Sequence, residues 1–375
     1  MTNIDQQETI LFADPDPGEE GSTLDDIPKE QRTLRTQAYD KSISDVVAMM
    51  NDDDIILDPD YQRKYIWDDK TASLLIESIL LNVPIPIVYV AEDEDSKWNV
   101  VDGLQRLNTL RRFFANEFKL RGLEVLQELN KLQYSTLNPK AARILRNGIL
   151  RIILIFKESH PDIKYDIFIR LNRGAVKLSD QELRNCLYRG SLNDLLKELR
   201  KNKNFLEMLG LNKPHHRMED AELILRYFTI TDSFDVEKGE LLNYTGKVKS
   251  SLNKYFLANR HLSALEVEQL RQRFEETIQK IHIVFGKEAF RRINKDGTLD
   301  KRVNRAIMDI MLASFEKVDV DKLIVHKQNI YNLLADLPYR DSLFNDSITI
   351  GTSDKKQLEY RLSTWSTALS QILSE

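Results

Sequence analysis

The sequence predicts an α+β fold, with a mixed α/β domain over about residues 36–190 and an all-helical domain over 191–375. Three observations carry this. Between residues 36 and 190, short β-branched runs alternate with stretches whose apolar residues recur every three or four positions. Beyond about residue 190 the strand signals nearly vanish and helical periodicity dominates. A chain of 375 residues also exceeds one ordinary hydrophobic core, which favours two domains.

The elements follow in order. Ser42 to Met50 reads as a short helix with an early serine cap. Ile55-Ile56-Leu57 is a strand, closed by the turn-like Asp58-Pro59-Asp60. Residues 69–82 form a helix, because Ala72, Leu75, Ile76, Ile79 and Leu80 fall at three- and four-residue spacing. Pro84 and Pro86 stop it and lead into the strand Ile87 to Val90. A polar, acidic hairpin from Glu92 to Lys97 turns back into Trp98-Asn99-Val100-Val101. The next helix starts at Gly103 and places Leu107, Leu110, Phe113 and Phe114 on one face. Ile149 to Phe156 is a β-branched strand, followed by Pro161 through Leu171 and a break at Asn172-Arg173-Gly174. Ser179 to Glu182 has the spacing of a capping box, as does Ser263 to Glu266 at the head of a long amphipathic helix toward Phe285. No internal repeat is evident.

Charge is unevenly distributed along the chain. Residues 1–26 hold eight acids and no Lys or Arg, and with their Pro and Gly they make residues 1–35 an acidic, disordered tail. Without those acids, 51 Asp and Glu face 54 Lys and Arg, so the body sits near +3 and the acidic balance excludes no nucleic-acid partner. The hydrophobic share of 42% and charged share of 30% describe a soluble globular chain. No apolar run approaches the roughly 20 residues that span a bilayer, and the first residues lack the pattern of a signal peptide. A cytoplasmic location without membrane association is the expectation. Cys186, the single cysteine, excludes an internal disulfide and a multi-cysteine zinc site.

Three polar clusters interrupt the apolar periodicity of the first domain. One is Tyr61-Gln62-Arg63 with Trp67 four residues beyond Arg63. The second is Asp102-Gly103-Leu104-Gln105-Arg106. The third is Arg170 to Gly174, continued by Glu182, Arg184 and Asn185. The second stands where a strand ends and a helix opens, and a helix start offers orphan N–H donors and about half a positive charge to a phosphate. Arg106 would add a planar cation. Two readings stand side by side: a phosphate cradle, or a cap in which Asp102 closes the helix and Gln105 reaches back. Tyr61 and Trp67 fit core or rim positions as well as stacking on a base. Arg170 and Arg184 fit loop hydrogen bonds as well as phosphate contacts, and His215-His216 reads as a solvated loop.

The clusters, taken in order, resemble the family called domain of unknown function 262, the N-terminal domain of GmrSD-type restriction endonucleases. The likeness rests on Pro59 to Trp67, on Leu75 to Leu80 with Pro84-Ile85-Pro86, on Val101 to Leu107, on Phe168 to Gly174 and on Glu182 to Asn185, and it covers about residues 40–230. It implies a fold like ParB and sulfiredoxin, in which the strand-to-helix turn handles nucleotide phosphates. It implies an NTP, with Mg2+, whose binding or hydrolysis is coupled to restriction of modified or foreign DNA. Asp102, Gln105 and Arg106 are then the candidate catalytic residues: Asp102 through a divalent ion or water, Gln105 orienting a water, Arg106 on phosphate. Tyr61, Gln62, Arg63, Trp67, Gly103, Arg170 and Asn172 are the candidate nucleotide-binding residues. DNA and a partner nuclease or methyltransferase are the expected macromolecular partners. A non-enzymatic binding module and a ParB-like nuclease are the alternatives.

The sequence departs from the family in two ways. Leu104 stands where the family's motif commonly has a glutamine, which removes a water- or phosphate-positioning amide and weighs against hydrolysis more than against binding. No nuclease half of the His-Asn-His type is visible, since the six histidines are scattered apart from one adjacent pair. A Walker A loop is absent too.

Overall fold

The computed structural model describes residues 33–57, 67–171, 179–242, 244 and 246–374, apart from the side chains of Pro161, Asp162 and Cys186. The chain divides into two compact units, whose described residues run from Thr33 to Arg189 and from Gly190 to Ser374. The expected tail falls outside the described residues up to 32. Thr33 and Arg35, which the sequence assigned to it, are tied down: His160 N–H donates to the Thr33 carbonyl at 3.1 Å and Arg35 N–H to Ser159 Oγ at 2.9 Å.

The first unit is α+β. In chain order it holds β1 (Thr36–Ser42), α1 (Ile43–Asn51), β2 (Ile55–Ile56), α2 (Asp69–Leu80), β3 (Val88–Glu92) and β4 (Trp98–Asp102). These are followed by α3 (Leu104–Phe114), α4 (Pro139–Asn147), β5 (Ile149–Ile155), α5 (Pro161–Leu171) and α6 (Asp180–Leu187). The five strands make one mixed sheet in the order β1-β5-β3-β4-β2. β1 runs antiparallel to β5 with Ser42 opposite Ile149; β3 is parallel to β5 and antiparallel to β4; β2 is parallel to β4. Tyr39 of β1 and Trp98 of β4 have ring centroids 5.4 Å apart although two strands separate them in hydrogen-bonding order. The sheet must therefore curl strongly toward itself.

Alternation along the strands divides two cores. Val88, Val90, Val100, Leu150, Ile152 and Leu154 point into a large cluster with the apolar faces of α1, α2, α3 and α4. Ala91, Val101 and Ile155 point the other way, toward Tyr165 and Phe168 of α5 and Leu183 of α6. Burying a Leu, Ile, Val or Phe side chain contributes about 1.5–3 kcal/mol, so the larger cluster dominates the stability of this unit.

Caps fix most helix starts. Ser42, Asp68 and Asn138 each accept a backbone N–H of the first turn of α1, α2 and α4, and Pro139 occupies the first position of α4. Both predicted capping boxes form, Ser179 with Glu182 and Ser263 with Glu266. β1 and α4 escaped the sequence reading. β1 is a mostly exposed edge strand with no apolar run, and α4 is short, burying only Ala141 and Leu145.

The second unit is mostly helical. Its helices are α7 (Ser191–Leu199), α8 (Lys203–Leu209), α9 (Glu219–Ser233), α10 (Val248–Ala258), α11 (Ala264–Phe285), α12 (Arg305–Phe315), α13 (Val320–Val325), α14 (Lys327–Arg340), α15 (Ser342–Thr349) and α16 (Lys355–Ser374). The expectation of an all-helical domain needs one correction, a small hairpin pairing Phe234–Asp235 with Glu240–Leu241. Its turn is built by Asp235 Oδ1, which accepts the Glu237 and Lys238 N–H groups at 3.1 Å, and by Gly239 at φ +68°. A fully buried ionic triad holds this unit together. Asp309 of α12 accepts two bonds from Arg226 of α9 at 2.8 Å and one from Arg361 of α16 at 2.6 Å. No described helix is long and apolar enough to cross a membrane.

Candidate functional site

The junction of β4 and α3 is unlike the side-chain-capped starts of α1, α2, α4 and α6. Its N-cap is Gly103, at φ +100°, and no side chain caps the helix. Of the two readings of Asp102, the one in which it caps α3 is thereby removed. Asp102 is the last residue of β4, and the left-handed glycine carries its carboxylate away from the first-turn N–H groups. Immediately before this turn the β3–β4 register shifts between Tyr89, opposite Asp102, and Val90, opposite Val100. Val101 is thus the extra residue of a bulge, a device that re-aims the side chains beside it. Glycine is also required by packing: a Cβ at position 103 would lie 2.8 Å from Val88 Cγ2 and 3.3 Å from Arg106 Nη2.

Arg106 binds the turn to the strand beside it. Its guanidinium donates to Asp102 Oδ2 at 3.0 Å, to the Ile87 carbonyl at 3.2 Å and to the Pro86 carbonyl. The side chain is 12% exposed and that of Asp102 45%, so the acid faces solvent while the cation is folded beneath it. This gives Pro86 a physical role. A proline-rich segment has few N–H groups to pair in a sheet, and its carbonyls are taken up by the arginine instead.

Gln105 reaches the segment leading to α2, where its Oε1 accepts the Trp67 N–H at 3.4 Å. Trp67 itself is half-buried against the larger core, a rim position. The structure therefore gathers Trp67, Asp102, Gly103, Gln105 and Arg106 of the sequence-predicted residues at one place. Arg170 is on α5, where its exposed guanidinium pairs with Asp166 one turn earlier at 2.7 Å. Tyr61, Gln62, Arg63 and Asn172 lie outside the described residues.

Glu182, Arg184 and Asn185 are buried on α6 with Gln181. Arg184 donates to Gln181 Oε1 at 3.1 Å, Gln181 donates to Asn185 Oδ1 at 3.0 Å, and the Arg184 guanidinium lies 5.8 Å from the Tyr165 ring. This is the structural role that the sequence left open for Arg184.

One important side chain has no role in the sequence reading. Glu77 of α2 is buried, and its two oxygens accept the backbone N–H groups of Glu124, Val125 and Leu126 at 2.7–3.1 Å. Burial pushes this carboxyl up, but the three N–H groups outweigh it and hold it below its ordinary range. The available signal was an acid on the apolar face of an amphipathic helix, one residue beyond Leu75-Ile76.

His215 also differs from the solvated-loop expectation. It is buried, its backbone N–H donates to Asp220 Oδ2 at 2.7 Å, and burial pushes its imidazole down to about 4. Among the described residues, no three His, Cys, Asp or Glu side chains come together to hold a metal ion. Mg2+ bound to a nucleotide does not need such a cage, because phosphates and waters supply most of its ligands and one carboxylate suffices. The solvent-facing carboxylate of Asp102 fits that demand.

The first unit is thus an α+β domain with a glycine-started, uncapped strand-to-helix junction flanked by an acid. Residues 43–189 match the family described as GmrSD restriction endonuclease, N-terminal domain. Such a domain fits a component of a restriction or defence system. Comparison with curated proteins and with solved structures gives no match.

Proposed function

We propose that the first unit binds a nucleoside triphosphate with Mg2+ at the β4–α3 junction, as the nucleotide-sensing part of a DNA-restriction or anti-phage system. The observation that carries the proposal is the start of α3. Among the described residues, α1, α2 and α4 each have a side-chain cap whereas the first turn of α3 has none, and a half-exposed carboxylate stands beside it. Backbone N–H groups and the helix dipole would meet the phosphates, and Asp102 would take a ligand position on the metal.

The same geometry favours binding over hydrolysis. Gln105 has its carbonyl oxygen on the Trp67 backbone, and Leu104 supplies no polar group to orient a water. Arg106 acts here by positioning the junction, since its guanidinium is engaged by Asp102 and two carbonyls. A ParB/sulfiredoxin-like ancestry for the fold and a partner nuclease or methyltransferase belong to the same proposal.

Thermal unfolding with and without each NTP and magnesium tests it. A nucleotide at 100 times its dissociation constant stabilises by about 2.7 kcal/mol. A shift that disappears in Asp102→Ala supports the reading, and no shift with any of the four NTPs contradicts it.

A further inference from the structure

Residues 129–157 contain six bases, Lys131, Lys140, Arg143, Arg146, Arg151 and Lys157, and no Asp or Glu, within a chain of net charge −5. Half of them lie on α4. This helix packs Ala141 and Leu145 against α1 and α2, and turns Lys140, Arg143 and Arg146 to solvent. None of the three is in an ion pair among the described residues, whereas the nearby Arg151 is paired with Asp40 at 2.7 Å.

The arrangement has little local benefit: of the three bases only Arg146, in the last turn, complements the helix dipole. Like charges three residues apart on a helix repel, and Lys140 in the first turn opposes the helix dipole, with no acid there to offset it. A local rule broken without compensation points to a use outside the fold. The chemistry of the face limits what that use is. Its one large apolar side chain is Ile144, too little for a protein interface, which needs aromatic or apolar anchors. It carries no aromatic ring on which single-stranded bases would stack. Unpaired cations on a regular helix are suited to the phosphates of a double helix.

We propose that the exposed face of α4 is a sequence-independent contact surface for the phosphate backbone of duplex DNA. The proposal rests on the reading of this unit as part of a DNA-restriction system, but not on its nucleotide site.

The test is fluorescence anisotropy of the full chain with a labelled, unmodified 30-bp duplex between 50 and 200 mM salt. Each phosphate contact contributes about 0.9 to the slope of log affinity against log salt, so Lys140→Gln/Arg143→Gln/Arg146→Gln should lower that slope by about 2.7. Over the fourfold rise in salt, the variant's affinity should then fall about fortyfold less than that of the wild type. The charge-keeping variant Lys140→Arg/Arg143→Lys/Arg146→Lys should retain the wild-type slope. A triple glutamine variant with wild-type affinity and slope overturns the proposal. So does a wild type that fails to bind the duplex at 50 mM salt, or that prefers an RNA duplex of the same length. Nucleotide-dependent stabilisation, measured on the same glutamine variant, should be unchanged. The two readings therefore fail separately: an unchanged salt slope in the glutamine variant with an intact nucleotide shift removes this surface alone, and a lowered slope in a chain that shows no nucleotide shift removes the nucleotide site alone.

Discussion

Arg106 Nη2 donates to Asp102 Oδ2 at 3.0 Å, and this pair, four residues apart, spans the point at which β4 ends and α3 begins. The same guanidinium continues to the carbonyls of Pro86 and Ile87, so one side chain fastens the junction to the entry of β3. Arg106→Ala should destabilise the first unit by about 1.5–3 kcal/mol, because it removes a charged donor's bonds to Asp102 and to the Pro86 and Ile87 carbonyls. Arg106→Lys should recover only part of this, since a single ammonium cannot reproduce the planar fork. Urea unfolding of both variants measures it; two variants of equal, near-wild-type stability would show that the bonds are dispensable.

Gly103 and Val88 form the second constraint. Gly103→Ala places a methyl 2.8 Å from Val88 Cγ2 and at φ +100°. The left-handed backbone alone costs about 1–2 kcal/mol, and the collision adds to it. In the double variant Gly103→Ala/Val88→Ala the collision is gone but the backbone strain remains. A double-mutant cycle should therefore give a favourable coupling of about 1 kcal/mol. Strict additivity would mean that the two residues do not press on one another.

How much of this was legible in sequence depended on whether the cause was local. The break between Val101 and Leu104, the capping boxes at Ser179 and Ser263, and the amphipathic α2 all rest on neighbouring residues, and each was read from spacing. The partners of Arg106 were not, because the Pro86 and Ile87 carbonyls are brought to it by strand pairing and carry no side-chain signature. β1 was invisible for a related reason: an exposed edge strand is specified by its neighbour β5 and needs no apolar alternation of its own. Of the candidate site, the sequence grouped Asp102 to Arg106 by adjacency, and the structure added Trp67 through a long-range bond while setting Arg170 on another element.

Glu77 gives a pH dependence with a definite sign. Its carboxyl is held below its ordinary value of 4.5 in the folded protein by the N–H groups of residues 124–126, against the opposing effect of burial. The stabilisation it contributes is therefore complete above that ordinary value and is lost as pH falls through the lower folded value. Glu77→Gln should cost about 2 kcal/mol at neutral pH. It should also flatten the decline in stability below pH 4.5, measured by denaturant midpoints across the acid range. A parallel decline in the two proteins would exclude Glu77 as a source of acid sensitivity.

Asp309 makes the corresponding prediction for the helical unit. Arg226 and Arg361 are buried around it, and Asp309→Asn would leave two guanidiniums facing a neutral amide. A loss of about 3–5 kcal/mol is expected in the unfolding of this unit. Amide exchange should locate the loss to α9, α12 and α16, and an undiminished protection of those helices would contradict it.

Amide exchange also gives the most direct test of nucleotide binding at the β4–α3 junction. Peptides covering residues 99–110 of the full chain are followed with and without saturating NTP and magnesium. Binding to the first turn of α3 should slow exchange there, and Asp102→Ala should abolish the change while leaving the exchange of α4 and β5 as it is in the wild type. Nucleotide-dependent protection confined to other segments, or no protection with any nucleotide, would contradict the assignment of this junction as the nucleotide site.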